Sequence, residues 1–312
     1  MNKVYTITVN SALEEVVFEG ELRSGGQMKV EKKELYLTGK AVNTGLLLSN
    51  LGVHCDMSIV CGAKEEIGYM SFNSSSRRVN VYPVTGATRV NQTIVDGQGR
   101  ERKIINNGYH LNPQQVEGLS RRIVSVVGEG DVVMIAGSLP DGMPAEWYQT
   151  LISRIRQKGA LVFFDASGRA LTEGVKGFPY YIKPNEQELE NLRDAVSGKS
   201  VHQLLRALAA QNQIENVVVT LGERGALGYN AQEDIMVSVV SDELFPSKKM
   251  TTGCGDAFNA GFIYEHIHHQ SFIKKMIAGV AFGGANLIAG FPEKITMQVI
   301  KERFSHISYS II

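Results

Sequence analysis

Short, almost wholly apolar runs alternate with longer amphipathic stretches along most of this 312-residue sequence. A strand that is apolar at nearly every position is typical of a parallel sheet covered on both faces. The order strand, helix, strand therefore predicts an α/β fold, with helices on both faces of a mostly parallel sheet. Strands are predicted at residues 4–9, 57–60, 132–136, 161–164, 180–182 and 217–221.

Three amphipathic stretches between these runs carry the signals of helix ends. Asn112 is predicted to cap a helix that begins at Pro113, because proline lacks an N–H that the first turn would leave unpaired. A second helix is predicted from Pro144 until Gly159, and Asn185 is the predicted cap of a third. The predicted apolar stripes comprise Val116, Leu119, Ile123 and Val126 in the first helix, and Trp147, Leu151 and Ile155 in the second.

Two segments, residues 16–37 and 88–107, interrupt the α/β order. Each alternates polar and apolar residues around a turn signal, Gly25-Gly26 in the first and Gly97-Gln98-Gly99 in the second. This pattern predicts antiparallel strands. The two segments can pair into a small separate sheet that acts as a lid over the strand ends and excludes water. They can also be ordinary hairpins at the edge of the main sheet.

The composition excludes several classes of protein. Lysine plus arginine equals aspartate plus glutamate at 32 each, so no basic excess points to nucleic acid or an anionic membrane. Three cysteines without paired spacing fit a reducing compartment. Residues 1–10 lack the features of a signal peptide, and the apolar stretch 276–288 is shorter than the roughly 20 residues that span a bilayer. A cytoplasmic protein is expected.

Three histidines cluster near the predicted end of a helix. His266, His268 and His269 have no other obvious ligands nearby in the sequence. A solvated, slightly cationic turn at the end of the helix is therefore favoured over a metal site.

The run TTGCGDAFNAGF at residues 251–262 is the strongest local signal of function. Glycines at the start of a helix let several N–H groups point at one anion, and the helix dipole adds positive charge there. Asp256 falls in the first turn, where a carboxylate can accept the proton of an attacking hydroxyl. By itself the same run is also compatible with a tight turn followed by an acidic helix start.

A second run, LTGKAVN at residues 37–43, precedes a leucine-rich helix. Gly39 permits close approach of the backbone, and Lys40 adds a positive charge. Asn43 offers both a donor and an acceptor to sugar hydroxyls. An ordinary helix start remains the alternative interpretation.

Two further runs follow predicted strands. In KPNEQE at residues 183–188, Asn185 and Glu188 lie three residues apart and can hold Mg²⁺ through water, or can simply cap the helix. In VVVTLGERGAL at residues 217–227, a buried strand leads into a glycine turn. α/β proteins bind nucleotides at such turns, although hairpins also use them.

The order of these runs resembles that of the ribokinase-like (PfkB) carbohydrate kinases, particularly the phosphofructokinase and tagatose-6-phosphate kinase branch. The resemblance covers essentially the whole chain. Its motifs are TVNSALE at residues 8–14, GKAVN at 39–43, AGSLP at 136–140, KPNEQE at 183–188, TLG at 220–222 and GCGD at 253–256. It implies one kinase domain over residues 1–312, a three-layer αβα sandwich with a mostly parallel central sheet and a small β-sheet lid.

The resemblance also implies roles for individual residues. Asp256 would be the catalytic base, and the amides of Gly253, Cys254 and Gly255 would form the anion hole. The implied ATP site comprises Lys183, Asn185, Thr220, Gly222 and Gly225. The implied substrate site comprises Glu14, Gly39, Lys40, Asn43, Arg89, Lys103 and Ser138. ATP and Mg²⁺ are the implied cofactors, and a sugar phosphate is the implied substrate.

The departures from the family pattern lie mainly on the substrate side. Glu14 stands where aspartate is usual, Thr38 and Ala41 replace glycines around Lys40, and Lys103 stands where arginine is commoner. Ser11 replaces a usual proline, and Met250 precedes the catalytic loop where a polar residue is common. The phosphoryl-transfer side is otherwise intact, so the sequence indicates the type of reaction more firmly than the substrate.

Fructose 1-phosphate, fructose 6-phosphate and tagatose 6-phosphate all fit as substrates, and a homodimer through the lid is expected because its edge or outer face needs protection. A kinase for an unphosphorylated sugar or a nucleoside is one alternative. A non-catalytic sensor of sugar phosphate or nucleotide is another, and it conflicts with the retained Asp256. A nicotinamide dehydrogenase is disfavoured because no Gly-x-Gly-x-x-Gly follows the first strand.

Overall fold

The computed structural model describes residues 3–22, 28–193, 200–243 and 251–312. The predicted turn at Gly25-Gly26 and the unusual Met250 lie outside these residues. The described strands are β1 (Val4–Thr8), β2 (Ala12–Leu22), β3 (Met28–Thr38), β4 (Cys55–Gly62), β5 (Arg77–Val84), β6 (Arg89–Val95), β7 (Glu101–Ile104), β8 (Val132–Ala136), β9 (Leu161–Asp165), β10 (Tyr181–Ile182), β11 (Asn216–Thr220), β12 (Ala226–Asn230), β13 (Ile235–Ser241) and β14 (Ile307–Ile311).

Helices connect these strands. In the described part of the chain they are α1 (Lys40–Asn50), α2 (Glu66–Met70), α3 (Pro113–Val126), α4 (Trp147–Arg156), α5 (Gly168–Gly174), α6 (Glu186–Arg193), α7 (Val201–Gln211), α8 (Cys254–Ile267), α9 (Phe272–Ala289) and α10 (Met297–Phe304). All six predicted strands are present, with ends within one residue of the predicted ones except at β4, which extends two residues further at each end.

The main sheet has ten strands in the order β14-β13-β12-β11-β10-β9-β8-β1-β4-β5. The seven strands from β5 to β11 along this order are parallel, and β12, β13 and β14 are antiparallel additions at one end. The carboxyl ends of the parallel strands therefore meet at one edge of the sheet, where α/β proteins place their ligands.

Successive side chains of the central strands alternate between two apolar cores. On one face Ile7 packs with residues of α3, α4, α6 and α7, among them Leu151. On the other face Val4 packs with residues of α1, α8 and α9, among them Leu47 and Phe262. Helices on both faces make the three-layer αβα sandwich that the fully apolar strands predicted.

The predicted helix ends were only partly right. Asn112 caps α3 with Gln115 in a reciprocal capping box, as Pro113 at the first position predicted. Val126, predicted to belong to the apolar stripe, is 55% exposed, because the last turn of α3 lies beyond the core. α4 begins at Trp147, since Pro144 belongs to the preceding turn and accepts a hydrogen bond from the Trp147 amide.

The two inserted segments form a separate four-stranded sheet in the order β3-β2-β6-β7. Each segment is an antiparallel hairpin, as predicted, but the two hairpins join through parallel pairing of β2 with β6, where Ala12 lies opposite Arg89. At the turn between β6 and β7, Asp96 accepts hydrogen bonds from the amides of Gln98 and Arg100. Gly99 has φ of 80°, which favours glycine.

The histidine cluster differs from its prediction. His266 lies against the rings of Phe163 and Tyr180, and burial lowers its pKa to about 4, so it is neutral rather than part of a solvated cationic turn. The described residues contain no group of three or more histidine, cysteine, aspartate or glutamate side chains that could hold a metal. Helix α9 is long and apolar enough to cross a membrane, yet half of it is buried within the protein.

Candidate active site

The GCGD motif forms the beginning of α8, as its glycines predicted. Gly253 has φ of 87°, and a Cβ there would lie 2.9 Å from Pro292, so both conformation and space require glycine. The Cys254 amide already donates to the carbonyl of Thr251 at 3.2 Å, and the Ala257 amide donates to that of Gly253. The Gly255 and Asp256 amides complete the first turn, whose N–H groups lack partners within the helix.

Asp256 is buried, with 6% of its surface exposed. Its Oδ2 accepts a 2.7 Å hydrogen bond from Asn43 Nδ2, which joins the first turn of α8 to α1. Thr44 Oγ1 donates to the main-chain carbonyl of Asp256 at 3.1 Å. The pKa of Asp256 is raised to about 7, because burial outweighs the opposing Lys40 ammonium and the Asp165 carboxylate adds to the upward shift.

A buried ion network lies next to Asp256 and is centred on Asp165, at the carboxyl end of β9. Asp165 accepts hydrogen bonds from Lys40 at 2.9 Å and Asn259 at 2.7 Å, and its Oδ2 lies 3.1 Å from Lys183 Nζ. Burial opposes ionisation of Asp165, but the two ammonium groups outweigh it and lower its pKa. Sequence reasoning missed Asp165, although an aspartate ending an apolar strand was a visible signal.

The two lysines of this network differ in their surroundings. Lys183 is buried, and its Nζ lies 3.2 Å from where a Cβ of Gly255 would stand, so a cation faces the start of α8. Desolvation lowers the pKa of Lys40, but the carboxylates of Asp165, Glu188 and Asp256 outweigh it, and the net shift is upward. Lys40 thus stays charged, and Lys40 and Lys183 bring their ammonium groups to one carboxylate, that of Asp165.

The residues expected at the ATP site lie at the ends of β10 and β11. Asn185 and Thr220 form an isolated parallel bridge, and the Thr220 amide donates to Pro184. Gly222 and Gly225 have φ of 62° and 82°, and together they turn the chain back into β12. Asn185 and Glu188 cap α6 reciprocally, each side chain accepting from the other's amide, as the capping alternative predicted.

The residues expected at the substrate site surround the carboxyl end of β1. Glu14 is buried and accepts a 2.6 Å hydrogen bond from Thr93. Ser138 accepts from Asn10 Nδ2 at 3.0 Å, and Arg89 donates to the Asn10 carbonyl at 3.1 Å. Gly39 lets α1 approach β1, because a Cβ would lie 2.5 Å from Thr8.

Two polar atoms in this region are buried without a hydrogen-bond partner. They are Asn10 Oδ1 and Arg89 Nε. The other polar groups of these two side chains have partners, because Asn10 Nδ2 donates to Ser138 and an Arg89 Nη donates to the Asn10 carbonyl. Leaving such atoms unpaired is costly, so Asn10 Oδ1 is suited to accept a hydrogen bond from a ligand hydroxyl, and Arg89 Nε is suited to donate one to an anion. Sequence reasoning had not assigned a role to Asn10, whose unpaired oxygen only the packing reveals.

Arg89 and Lys103, both expected at the substrate site, lie on adjacent strands of the small sheet but do not converge. Lys103 is opposite Thr93, four residues along β6 from Arg89, which is about 13 Å in an extended strand. Lys103 lies 3.5 Å from Glu101, whose carboxylate accepts two hydrogen bonds from Thr251. The small sheet therefore contacts the loop that precedes Gly253.

A second contact holds the small sheet against the main body. Tyr36 of β3 stacks on Phe291 with ring centroids 3.8 Å apart, and Lys294 donates to the Tyr36 hydroxyl at 2.9 Å. Val16 and Val95 complete this apolar cluster. Phe291 and Pro292 follow α9 directly, and Pro292 lies beside Gly253, so the cluster is continuous with the start of α8.

The amino-acid sequence matches known carbohydrate kinases over most of its length. The pfkB family of carbohydrate kinases matches residues 8–288. The 1-phosphofructokinase of Escherichia coli K12 is 29% identical over 293 residues, covering 91% of this chain and 92% of its own length. The 1-phosphofructokinase of Haemophilus influenzae is 30% identical over 270 residues, covering 85% and 84% respectively.

Solved structures share the fold. Phosphofructokinase-2 from Escherichia coli superposes with a TM-score of 0.87 at 22% identity, over 97% of this chain and 98% of its own. Ribokinase from Thermotoga maritima gives 0.72 at 18% identity, over 98% and 100%. At these identities the likeness concerns the fold alone, and it confirms the ribokinase-like architecture. The family match and the shared fold together show that the chain belongs to the pfkB family of carbohydrate kinases.

Proposed function

We propose that this carbohydrate kinase transfers the γ-phosphoryl group of ATP to a hydroxyl of a phosphorylated ketohexose, with Asp256 as the general base. The observation that carries the proposal is the buried Asp256 carboxylate, fixed by Asn43 at a helix start that faces Lys183. A carboxyl group with a pKa of about 7 can accept a proton at neutral pH. The base and the positive charge that an anionic phosphoryl group needs are thus adjacent.

The reaction requires one proton transfer and one displacement. Asp256 takes the proton of the sugar hydroxyl while the hydroxyl oxygen bonds to the γ-phosphorus. The bond between that phosphorus and the oxygen bridging it to the β-phosphate breaks, and ADP leaves. The amides of Gly253 and Gly255 and the Lys183 ammonium stabilise the charge on the transferring group, and the Cys254 amide joins them only if it releases the Thr251 carbonyl. Positioning and charge stabilisation account for most of the catalysis in such reactions.

ATP lies along the carboxyl ends of β10 and β11 in this proposal. Lys183 and Asn185 contact its phosphates, and Thr220, Gly222 and Gly225 border the rest of the nucleotide. The bridge between Asn185 and Thr220 supports this arrangement, because it makes one continuous wall of the two segments. The left-handed glycines leave the wall without side chains, so a ligand can approach the backbone.

Glu188 and Asn185 fit Mg²⁺ held through water rather than by direct contact. The capping box uses one Glu188 oxygen and the Asn185 Oδ1, which leaves the second carboxylate oxygen for a bound water. The ion supplies charge neutralisation to the phosphates when bound. We expect Glu188→Gln to raise the Mg²⁺ concentration needed for half-maximal activity several-fold, with Glu186→Gln on the same turn as the control. Full activity in excess chelator would contradict this role.

The sugar phosphate occupies the space between the carboxyl end of β1 and the small sheet. Glu14 and Asn43 bond its hydroxyls, Gly39, Lys40 and Ser138 border it, and Arg89 holds its phosphate. Lys103, opposite Thr93 and paired with Glu101, contributes positive charge only from a distance. The unpaired Asn10 and Arg89 atoms support a polar, anionic ligand here. The relatives named 1-phosphofructokinase support fructose 1-phosphate as the substrate, with fructose 6-phosphate and tagatose 6-phosphate as the alternatives.

The small sheet acts as the lid of a single kinase domain that spans residues 1–312. Two contacts support this role: Glu101 with Thr251, and Tyr36 with Phe291. Both connect the sheet to the segments around Gly253, so closure over the sugar also organises the loop before the anion hole. ATP and a sugar phosphate as substrates support a cytoplasmic activity.

The outer face of the lid forms a homodimer contact in this proposal. Leu35, Val90 and Ile104 are 58%, 37% and 44% exposed there, and a second copy can cover them. We expect Leu35→Glu to halve the mass measured by light scattering at micromolar concentration. Lys158→Glu, in the loop before β9, is the control and should leave the mass unchanged. A monomeric parent protein, or an unaltered mass for Leu35→Glu, would rule the contact out.

The pH dependence tests the base directly. Because Asp256 must be ionised, kcat/KM is expected to rise with pH on a limb centred near 7. The Lys40 ammonium lowers the pKa of Asp256, so Lys40→Met should raise that pKa and move the limb to higher pH. Lys176→Met, which removes an exposed lysine paired with Glu173, should leave the limb in place. An unmoved limb in Lys40→Met argues against Asp256 as the base.

A further inference from the structure

Strand β14 ends the main sheet with an unprotected edge. Within the described residues it pairs with β13 alone, so one row of its backbone groups faces outward. Its sequence, ISYSI at residues 307–311, contains no charge and no proline. Tyr309 and Ile311 are 52% and 61% exposed. A flat, apolar edge of this kind is a template for pairing with another strand.

The other sheet edges in the described ranges are protected. β5, at the opposite end of the main sheet, carries Arg77, Arg78 and Pro83. The two edge strands of the small sheet are charged along their length: β3 contains five lysines and glutamates between residues 29 and 34, and β7 contains Glu101, Arg102 and Lys103. Charges and proline on an edge strand oppose pairing with a second chain. Because β14 has neither charges nor proline, its edge is the one suited to pair with a partner strand.

The hydrogen bonds with β13 fix which backbone groups of β14 face outward. The Ile312 amide donates to Met236, and the Asp242 amide donates to His306, across the antiparallel pair. In an antiparallel ladder the bonded residues alternate along each strand. Even-numbered residues therefore bond to β13, and the amides and carbonyls of Ile307, Tyr309 and Ile311 point to the free edge.

The sequence of this strand reads the same in both directions, Ile-Ser-Tyr-Ser-Ile. We propose that β14 pairs with β14 of a second copy, antiparallel, about a two-fold axis through Tyr309. In that register Tyr309 lies opposite the second Tyr309, and Ile307 lies opposite the second Ile311. These are the residues whose amides and carbonyls point outward, so each outward group meets a partner. A register shifted by one residue would oppose groups already bonded to β13.

The side chains suit the same arrangement. Ile307, Tyr309 and Ile311 lie on one face of β14, next to Ser241, Val239 and Val237 of β13. Pairing would bring tyrosine against tyrosine and isoleucine against isoleucine on that face, and aromatic and β-branched pairs stabilise antiparallel strands. The two main sheets would become one continuous sheet. The contact uses no residue of the active site or the lid, so it is independent of the proposed function.

Disulfide trapping tests the register. Directly opposite residues of a bonded pair have Cα atoms about 5.5 Å apart, within disulfide range. Tyr309→Cys should therefore give a disulfide-linked dimer under mild oxidation, at least about tenfold above Ser308→Cys. The two copies of residue 308 would lie about 8 Å apart, beyond that range. Absence of the Tyr309→Cys dimer, or equal trapping of both variants, would overturn the proposal.

Charge pairing provides a second, independent test. Tyr309→Lys and Tyr309→Glu each bring like charges together at the two-fold axis, so each variant alone should lose this contact. The native mass of each variant should therefore be half that of the parent protein. Mixing the two variants should restore the parent mass through a species containing one copy of each, resolved by native mass spectrometry. If either variant alone keeps the parent mass, or if the mixture forms no mixed species, the pairing is wrong.

Discussion

Asp256→Asn is expected to lower turnover by about 10²–10⁴-fold while the affinity for ATP stays within a few-fold. The substitution removes the proton acceptor but keeps an oxygen that can accept the hydrogen bond from Asn43. Steady-state turnover and equilibrium binding of ATP measure the two effects separately. Asn43→Ala is the matched comparison, since it removes the partner of the carboxylate rather than the carboxylate itself. Parent-like turnover in Asp256→Asn would exclude this residue as the base.

Thermal unfolding shows whether Asp256→Asn remains folded. The sign of its stability change also follows from the pKa of Asp256. The folded protein raises the pKa of Asp256 to about 7, so ionising this carboxyl at higher pH destabilises the fold. At pH 8 Asp256→Asn should unfold at a higher temperature than the parent protein. The difference should shrink as the pH falls through 7 and vanish only below pH 3.8, the ordinary pKa of the group, where the aspartate is neutral in both states. A variant that is less stable at pH 8 would contradict the buried, ionisable carboxyl.

Arg89→Ala is expected to raise the KM for the best sugar phosphate by at least about tenfold, with little change in the KM for ATP. A hydrogen bond to a charged group contributes roughly 1.5–3 kcal/mol, and each 1.4 kcal/mol lost is a factor of ten. Arg89 already donates one N–H to the Asn10 carbonyl and keeps a buried Nε without a partner. Desolvation lowers its pKa, which is consistent with a cation that lacks its anion.

Two controls separate phosphate binding from folding in this prediction. Arg78→Ala removes an exposed arginine of β5 and should leave both KM values unchanged. Lys103→Ala should raise the sugar-phosphate KM less, because Lys103 is 40% exposed and is already paired with Glu101. An unchanged sugar-phosphate KM in Arg89→Ala would remove the phosphate from the proposed substrate. Membership in the carbohydrate kinase family would stand.

The fold was predictable where local pattern determines structure. The runs that became β8 and β9 are apolar at nearly every position because helices cover both faces, and this burial is visible in the sequence. The parallel pairing of β2 with β6 was not predictable in the same way. It joins Ala12 to Arg89 across a long stretch of chain, and no local pattern specifies such a register.

The candidate site likewise contains residues that a local motif predicts and residues that only tertiary contacts reveal. Asp256, Lys40 and Lys183 were identified because motifs mark them, whereas Asp165, which binds both lysines, belongs to no motif that was recognised. The role of Asp165 arises from tertiary contacts, and its partner Lys40 lies more than a hundred residues away in the sequence. The misassigned His266 has the same cause, since its burial against Phe163 is a tertiary contact. Local capping of α6 by Asn185 was, by contrast, predictable.

The proposed reaction is the phosphorylation of a ketohexose that already carries a phosphate. ADP release by the parent protein should be measured over a panel of fructose 1-phosphate, fructose 6-phosphate, tagatose 6-phosphate and their unphosphorylated sugars, with ATP and Mg²⁺ present. We expect the highest kcat/KM for one of the three phosphates, and a bisphosphate product. A neutral sugar as the best substrate, or no turnover of any member of the panel, would contradict it.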